Sequence, residues 1–503
     1  MTETNAAAPR DRQLLGGVVW NLLGRGLPLA VALLLTPLLV VQLGVERWGL
    51  FTLALAMFGV FGVFDFGVGQ ALTRALAERI GRGETETAPA LVGAALVALF
   101  GFSAGVAALL WFGVPLLVES ALNVPPALQP QAIAAMRVLV AAAPLVVLNA
   151  ALWGVLAAWH KFKAANLVSI PVAIFYYLGP VLVLTVWDDL TGVMLALVAC
   201  RFANTLSYAW LVRPLLPGFS LRRVQLRLVL PLLRLGGWMT FSGTLSQVLL
   251  YADRFLIGSL LSLAAVAYYA TPLDLVLRMW ILPVAVAQTL LPALAASYAT
   301  MPERAAALLR RGSLLILALV FPACLVLVGG AELLLRLWLG ASFAEGGGTV
   351  LRILGVGILF SCVGFAPGAL LDAIGRPDIG ARLGLVLAVV FLPLSAGALL
   401  LGLGIEGAAL AWALRAACEC AAKLWLAARA YPVAADSARR VVWPLLLAAL
   451  ALAGMALLRG EVAAELGFGA LALGGFALVL WRALSLTERG DVLVKLRLKA
   501  AVA

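Results

Sequence analysis

Long apolar runs alternate with short polar gaps from one end of the chain to the other. Fourteen runs stand out, at 14–41, 48–73, 88–112, 132–158, 165–187, 191–212, 235–259, 265–297, 309–329, 349–374, 380–402, 405–428, 441–459 and 464–484. Each is near or above the roughly 20 residues that a helix needs to cross the hydrocarbon of a bilayer. The pattern predicts an all-α polytopic membrane protein of about 14 transmembrane helices.

The gaps are charged unequally. Of the 36 Lys and Arg residues, 25 lie in the two tails and at every second gap or its edges. The other gaps hold at most five: Arg47, Arg137, Arg336, Arg352 and Arg459. Lys and Arg gather on the cytoplasmic side, which predicts cytoplasmic termini and, for a bacterial chain, the inner membrane. The remaining six, Arg25, Arg201, Arg254, Arg278, Arg415 and Lys423, fall inside spans.

Composition agrees, with 64% hydrophobic residues against the roughly 45–50% of a soluble domain. Forty-nine glycines and many alanines supply small faces for helix packing inside the bilayer. The net charge of +12 is spread over short loops beside spans. It therefore orients the chain and meets anionic lipid, and nucleic acid is not an expected partner. The polar start, Met1 to Gln13, leads into a span too long for a signal-peptide core, so no cleavable leader is expected. Cys200, Cys324, Cys362, Cys418 and Cys420 lie in or beside spans and read as packing residues. Cys418 and Cys420, two apart, point to different helix faces.

The chain also resembles itself. At an offset of 218, Trp20 lands on Trp238 and 43–52 lands on 261–270. At 215, Arg137 lands on Arg352, His160-Lys161 on Gly375-Arg376, and Gly192 on Gly407. Each unit has six spans, an even number, so the copies enter the membrane from the same side. That predicts lobes related by a pseudo-two-fold along the membrane normal, an arrangement in which transporters bind substrate between lobes. The expected organisation is an N-terminal lobe at 1–212, a cytoplasmic linker at 213–234, a C-terminal lobe at 235–430, and two extra helices with a basic tail at 431–503. In the linker, Leu221, Val224, Leu228 and Leu232 recur at helical spacing among arginines, which predicts a short amphipathic helix.

Charges inside spans are costly, about 2.5–3.5 kcal/mol each on insertion scales, so they face a cavity or a partner. Arg25, flanked by Gly24 and Gly26, has room to project between helices. Arg25, Arg201, Arg254 and Arg278 are the candidate cavity cations. The candidate coupling or structural charges are Asp65, Asp253, Asp274, Glu419, Arg415 and Lys423. Asp274 and Arg278, four apart, either neutralise each other or serve an anionic cargo. Asp253 and Arg254 point about 100° apart and cannot share one partner. Arg415, Glu419 and Lys423 form an i, i+4, i+8 ladder, either a self-compensating stripe or a cation path through Glu419. Asp65 is protonated, paired with Arg25, or an ion site. His160, the single histidine, reads as a solvated loop residue.

Several motifs resemble the O-antigen-type polysaccharide flippases of the multidrug/oligosaccharidyl-lipid/polysaccharide exporter superfamily. They are 20–28 in the first span, 43–50 after it, 64–70 in the second, Asp253-Arg-Phe-Leu-Ile-Gly258, Tyr268-Tyr269, Gly375-Arg-Pro377 and 404–411. The resemblance covers nearly the whole chain. It implies fourteen helices in two lobes arranged as a V around a central cavity. It also implies a lipid-linked oligosaccharide as cargo, moved from the cytoplasmic to the periplasmic leaflet. Lipid II flippases, related by fold, carry cavity arginines in the first lobe, and here only Arg25 and Arg47 match that set.

Enzyme chemistry lacks its residues. There is no HExxH, paired CxxC or GxxxxGK[ST], and the GxSxG match Gly101-Phe-Ser-Ala-Gly105 lies within an apolar run, not at the strand-to-helix turn that a nucleophile elbow needs. A polymerase or ligase would want a large extracytoplasmic catalytic loop, and the longest here carry only Glu119, Glu332, Arg336 and Glu345. A cation-coupled multidrug exporter of the same fold is the alternative transporter reading. It would want fewer cavity arginines and a poised carboxylate. Neither a cofactor nor a metal is expected, and an H+ or Na+ gradient is the candidate energy source. Expected partners are the lipid-linked oligosaccharide, the bilayer, and a polysaccharide polymerase or other assembly proteins.

Overall fold

The computed structural model describes residues 11–61, 68–219, 226–230, 249–458 and 462–483, with the backbone alone at 11–25, 68, 70, 226 and 462. Among these residues there is helix and turn but no strand. A chain that must satisfy its backbone within hydrocarbon has that form unless it closes a barrel.

Helix α1 (Asp11–Phe61) runs through the first predicted span and most of the second. Gly44 interrupts it at φ 74°, ψ 167°, a backbone that glycine adopts without a Cβ penalty. The predicted gap at 42–47 is therefore a kink. Helices α2 (Val68–Gly81) and α3 (Ala88–Leu116) follow. The fourth span divides into α4 (Gln129–Ala141) and α5 (Ala143–Ala158), because Pro144 has no N–H for the carbonyl one turn back. Next come α6 (Phe162–Leu184) and α7 (Leu190–Val212). The Asp189 carboxylate caps α7, accepting from the Thr191 N–H at 2.5 Å.

The seventh span is described only as α8 (249–260). The eighth is α9 (Leu263–Leu277) and α10 (Ile281–Ser297), joined by the 3₁₀ turn Arg278–Trp280. Then follow α11 (Pro302–Gly329), α12 (Ala331–Leu339), α13 (Ala341–Val363) and α14 (Phe365–Ala373). The last four are α15 (Pro377–Leu400), α16 (Gly404–Ala430), α17 (Ala435–Leu457) and α18 (Val462–Ala483). The short helix α12 lies in what the apolar pattern reads as a loop. Eleven helical stretches among the described residues are long and apolar enough to cross a membrane. Helix α16 is not among them despite its 27 residues, since Arg415, Glu419 and Lys423 interrupt it.

The chain forms two compact units, Met1–Ala267 and Tyr268–Ala503. The boundary falls inside α9, beyond the linker read from the sequence at 213–234. The amphipathic helix expected there lies largely outside the described residues. In the first unit, α2, α3, α5 and α7 enclose Leu72, Leu76, Val92, Leu99, Val147, Leu152, Val155 and Tyr208. In the second, α13 packs against α11, α12 and α16. The α13–α16 approach depends on Gly357, where a Cβ would stand 2.8 Å from the Ala413 Cα. Small residues at such crossings let backbones close up, which replaces the hydrophobic drive that lipid removes.

Local geometry repeats at the offsets seen in the sequence. His160 (φ 55°) and Gly375 (φ 76°) are both left-handed. Lys161 N–H donates to Leu156 O at 2.9 Å, and Arg376 N–H to Leu371 O at 2.9 Å. His160 N–H donates to Ala157 O, and Gly375 N–H to Asp372 O. Every one of these atoms is displaced by 215 positions. The Gly44 kink and the α8–α9 break at 261–262 match likewise at 218. His160 is exposed, as expected, with its ring edge-on to Phe162 at 6.0 Å.

Candidate functional site

In the first unit, Arg201 and Arg254 each lie over aromatic rings, and in each case one ring belongs to or packs against α1. Arg201 sits at the middle of α7, and its guanidinium lies 5.3 Å from the Phe58 ring centroid and 5.8 Å from that of Tyr176 on α6. Arg254, 2% exposed, lies over the Tyr251 ring at 5.3 Å. Gly59 leaves the space for that ring, since a Cβ there would meet it at 2.8 Å. The adjacent pair Phe58-Gly59 thus supports both arginine–aromatic groups. Among the described residues Arg201 forms no ion pair with a carboxylate; its cation rests on ring faces, whose quadrupole attracts it. Below it, the Thr205 hydroxyl donates to the Arg201 carbonyl at 2.9 Å and is itself within 3.5 Å of the Asn149 amide.

Asp253 is buried beside Arg254. The side chain of Arg25 and the whole of Asp65 lie outside the described residues, so that part of the expected site is not placed.

In the second unit, Asp274 and Arg278 do not lie on one continuous α-helix. Helix α9 ends at Leu277, and Arg278 opens a 3₁₀ turn. The Arg278 side chain is exposed and Asp274 is half-buried. Trp280 anchors the turn: its Nε1 donates to Ser361 Oγ at 3.0 Å, and its ring lies edge-on to Phe365. The ladder on α16 is formed as spaced. Lys423 Nζ is 2.7 Å from Glu419 Oε1, and Arg415 is 3.5 Å from Oε2. Glu419 is thus bracketed by cations, which offset the cost of its charge.

Charge spacing left one cluster unread. Arg352, assigned from the sequence to the extracytoplasmic side with the loop charges, is 3% exposed inside α13. Its Nη1 donates to the carbonyls of Leu458 at 2.6 Å and Ala456 at 3.4 Å, where α17 ends. Its Nη2 approaches Glu332 at 3.6 Å and Glu465 at 3.8 Å. One arginine therefore ties α12, α13, α17 and α18 together. The available signal was its match to Arg137 at the 215 offset. Arg137 has a different partner, the Trp111 ring at 5.4 Å.

All five cysteines are free thiols. Cys418 is exposed and Cys420 buried, on different faces of α16. No group of three His, Cys, Asp or Glu side chains able to hold a metal occurs among the described residues.

A family model described as polysaccharide biosynthesis protein matches residues 14–297. A relative described as "Putative O-antigen transporter", from Shigella flexneri, is 25% identical over 425 residues, covering 82% of this chain and 97% of its own. Two solved structures share the fold. One, an inward-facing multidrug resistance MATE family transporter of the MOP superfamily, aligns with a TM-score of 0.71 at 17% identity, over 82% of this chain and 99% of its own. The other, the lipid II flippase MurJ in an inward closed conformation, aligns with a TM-score of 0.71 at 13% identity, over 93% and 99%. The chain therefore belongs to the polysaccharide biosynthesis protein family.

Proposed function

We propose that the protein moves an undecaprenyl-pyrophosphate-linked oligosaccharide from the cytoplasmic to the periplasmic leaflet by alternating access of two six-span lobes. The observation that carries this reading is Arg201, a cation at mid-span held on aromatic faces and without a carboxylate among the described residues. A diphosphate and a hydrophilic glycan cannot cross hydrocarbon unaided. Guanidinium groups at membrane depth offer planar, paired donors to phosphate oxygens. Arg25 and Arg278 are assigned to the pyrophosphate, one from each half of the repeat, with Arg201 and Arg254 as further cavity cations. The H+ or Na+ gradient remains the assigned energy source. Against the cation-coupled multidrug exporter stands the bracketing of Glu419, because an incoming cation would have to displace Lys423.

Complementation of a flippase-null strain tests the assignment. Each charge-assisted phosphate contact is worth about 1.5–3 kcal/mol, so Arg25→Ala and Arg278→Ala should each lower glycan export by roughly 10–100-fold. Lysine at either position keeps the charge but not the fork and should retain partial export. If both alanine variants reach wild-type levels on immunoblots and export at wild-type rates, the pyrophosphate site is not there.

The same reading places both termini in the cytoplasm of a bacterial inner membrane. Ser437 and Gly347, natural choices from the sequence for labelling, are both buried, so exposed neighbours serve instead. In a cysteine-free background, Glu84→Cys and Asp436→Cys should resist a membrane-impermeant maleimide in intact cells, while Ser120→Cys and Ser342→Cys should react. Reaction of the first pair alone would invert the topology.

A further inference from the structure

A cavity of about 530 Å³ opens between α16 and α17 in the second unit, apart from every residue assigned to transport above. Its size lies within the roughly 300–1,000 Å³ typical of small-ligand sites. Ala421 on α16 and Ala438 on α17 keep the helices from filling it, and Phe360 and Trp425 add aromatic walls. The body of the cavity is apolar, but two arginines, Arg429 and Arg439, line it near the short connection between the helices.

Those arginines differ from their neighbour. Arg440 pairs with Asp436 at 2.8 Å, whereas neither Arg429 nor Arg439 forms an ion pair among the described residues. Arg429 is instead held over the Trp425 ring at 5.5 Å, which fixes it beside the cavity. Both belong to a basic gap that the charge bias assigns to the cytoplasmic face, where the leaflet is anionic. Trp425 and Trp443 are both largely exposed, as tryptophans at the headgroup level of a bilayer are.

An apolar cavity with two cations at one end fits an amphiphile with an anionic head. We propose that this is a binding site for an anionic diacyl phospholipid of the cytoplasmic leaflet, with one acyl chain in the cavity and the phosphate between Arg429 and Arg439. The lining offers the head only those two guanidinium groups and no amide or hydroxyl side chain for sugars, so a phospholipid fits better than the glycan-bearing cargo. The bound lipid would fill the void between α16 and α17 and so join the extra helices to the rest of the second unit.

Native mass spectrometry of the full-length protein, delipidated in detergent and titrated with phosphatidylglycerol or phosphatidylcholine, tests this independently of transport. The wild type should retain one phosphatidylglycerol in preference to phosphatidylcholine. Each arginine near a membrane surface contributes about a fivefold factor, so the Arg429→Gln/Arg439→Gln variant should bind roughly 25-fold more weakly. Ala438→Leu keeps both arginines but projects into the cavity where an acyl chain would lie, and it should also lose the lipid. Thermal melts in detergent alone show that each variant is folded. Equal binding of the two lipids, or retention by Ala438→Leu, overturns the proposal. So does displacement of phosphatidylglycerol by a polyprenyl phosphate, which would make this a cargo site, or a dimer held through this face.

Discussion

Gly49→Leu is expected to remove the protein from the membrane fraction, and even Gly49→Ala should reduce it several-fold. Gly49 lies on α1 just past the Gly44 kink, where the helix crosses the start of α9. A Cβ there would overlap the Leu263 carbonyl oxygen and stand 2.7 Å from the Leu263 carbonyl carbon. Overpacking of a core costs about 1–3 kcal/mol when side chains can yield. Here the obstacle is backbone, and it is held on its other side. Asn123 N–H donates to Gly258 O at 2.8 Å, and its side-chain amide donates to Leu261 O at 2.9 Å. The α8–α9 turn therefore cannot retreat without losing both bonds. Gly101→Leu is the control, because that position has no atom within 4 Å of a built Cβ. Immunoblots of membranes and melting in detergent should show Gly101→Leu near wild type. Normal accumulation of Gly49→Leu would mean that the helices do not cross this closely.

The second large effect is expected at Arg352. Its replacement by leucine strands the Ala456 and Leu458 carbonyls and leaves Glu465, whose side chain is 18% exposed, without its cation. Removing one partner of a buried pair costs about 3–5 kcal/mol, because the other charge stays buried and uncompensated. Helices α17 and α18 should be the first to detach, so limited proteolysis at the α17–α18 connection should accelerate along with a lower melting temperature. Arg352→Leu/Glu465→Leu should recover a good part of the loss, since replacing both partners with apolar groups removes the stranded charge. Glu332, 46% exposed, keeps access to water and needs no such rescue. If Arg352→Leu melts at the wild-type temperature, the arginine does not hold these helices.

Much of the architecture was legible along the chain because a bilayer imposes one rule on every span. Backbone groups inside hydrocarbon must bond within the segment, so length and apolarity suffice to read helices. The ends of α3, α6, α7 and α15 fall within a few residues of the runs read from the sequence. The internal repeat left its trace in turns such as 156–161 and 371–376, since left-handed geometry constrains which residues can stand there. The α16 ladder was equally readable, because i, i+4 contacts depend on one helix alone.

What spacing could not supply is which side chains meet across helices. The 3₁₀ turn that follows α9, anchored by Trp280 to Ser361 on α13, left no mark in the spacing. The clamp at Arg352 joins residues from 332 to 465, and Arg201 meets Phe58 on a helix far away in sequence. Apolar residues cover nearly every face of these helices, so a period of 3.6 cannot distinguish lipid from neighbour. By itself the sequence determined that the chain is a bundle of membrane helices, the approximate extent of several of them, and which face of the membrane its charge bias predicts for each gap. Only the tertiary structure decided which buried cations rest on aromatic rings, which hold helix ends, and where two helices leave room for a ligand, because those depend on close packing between segments that no local pattern records.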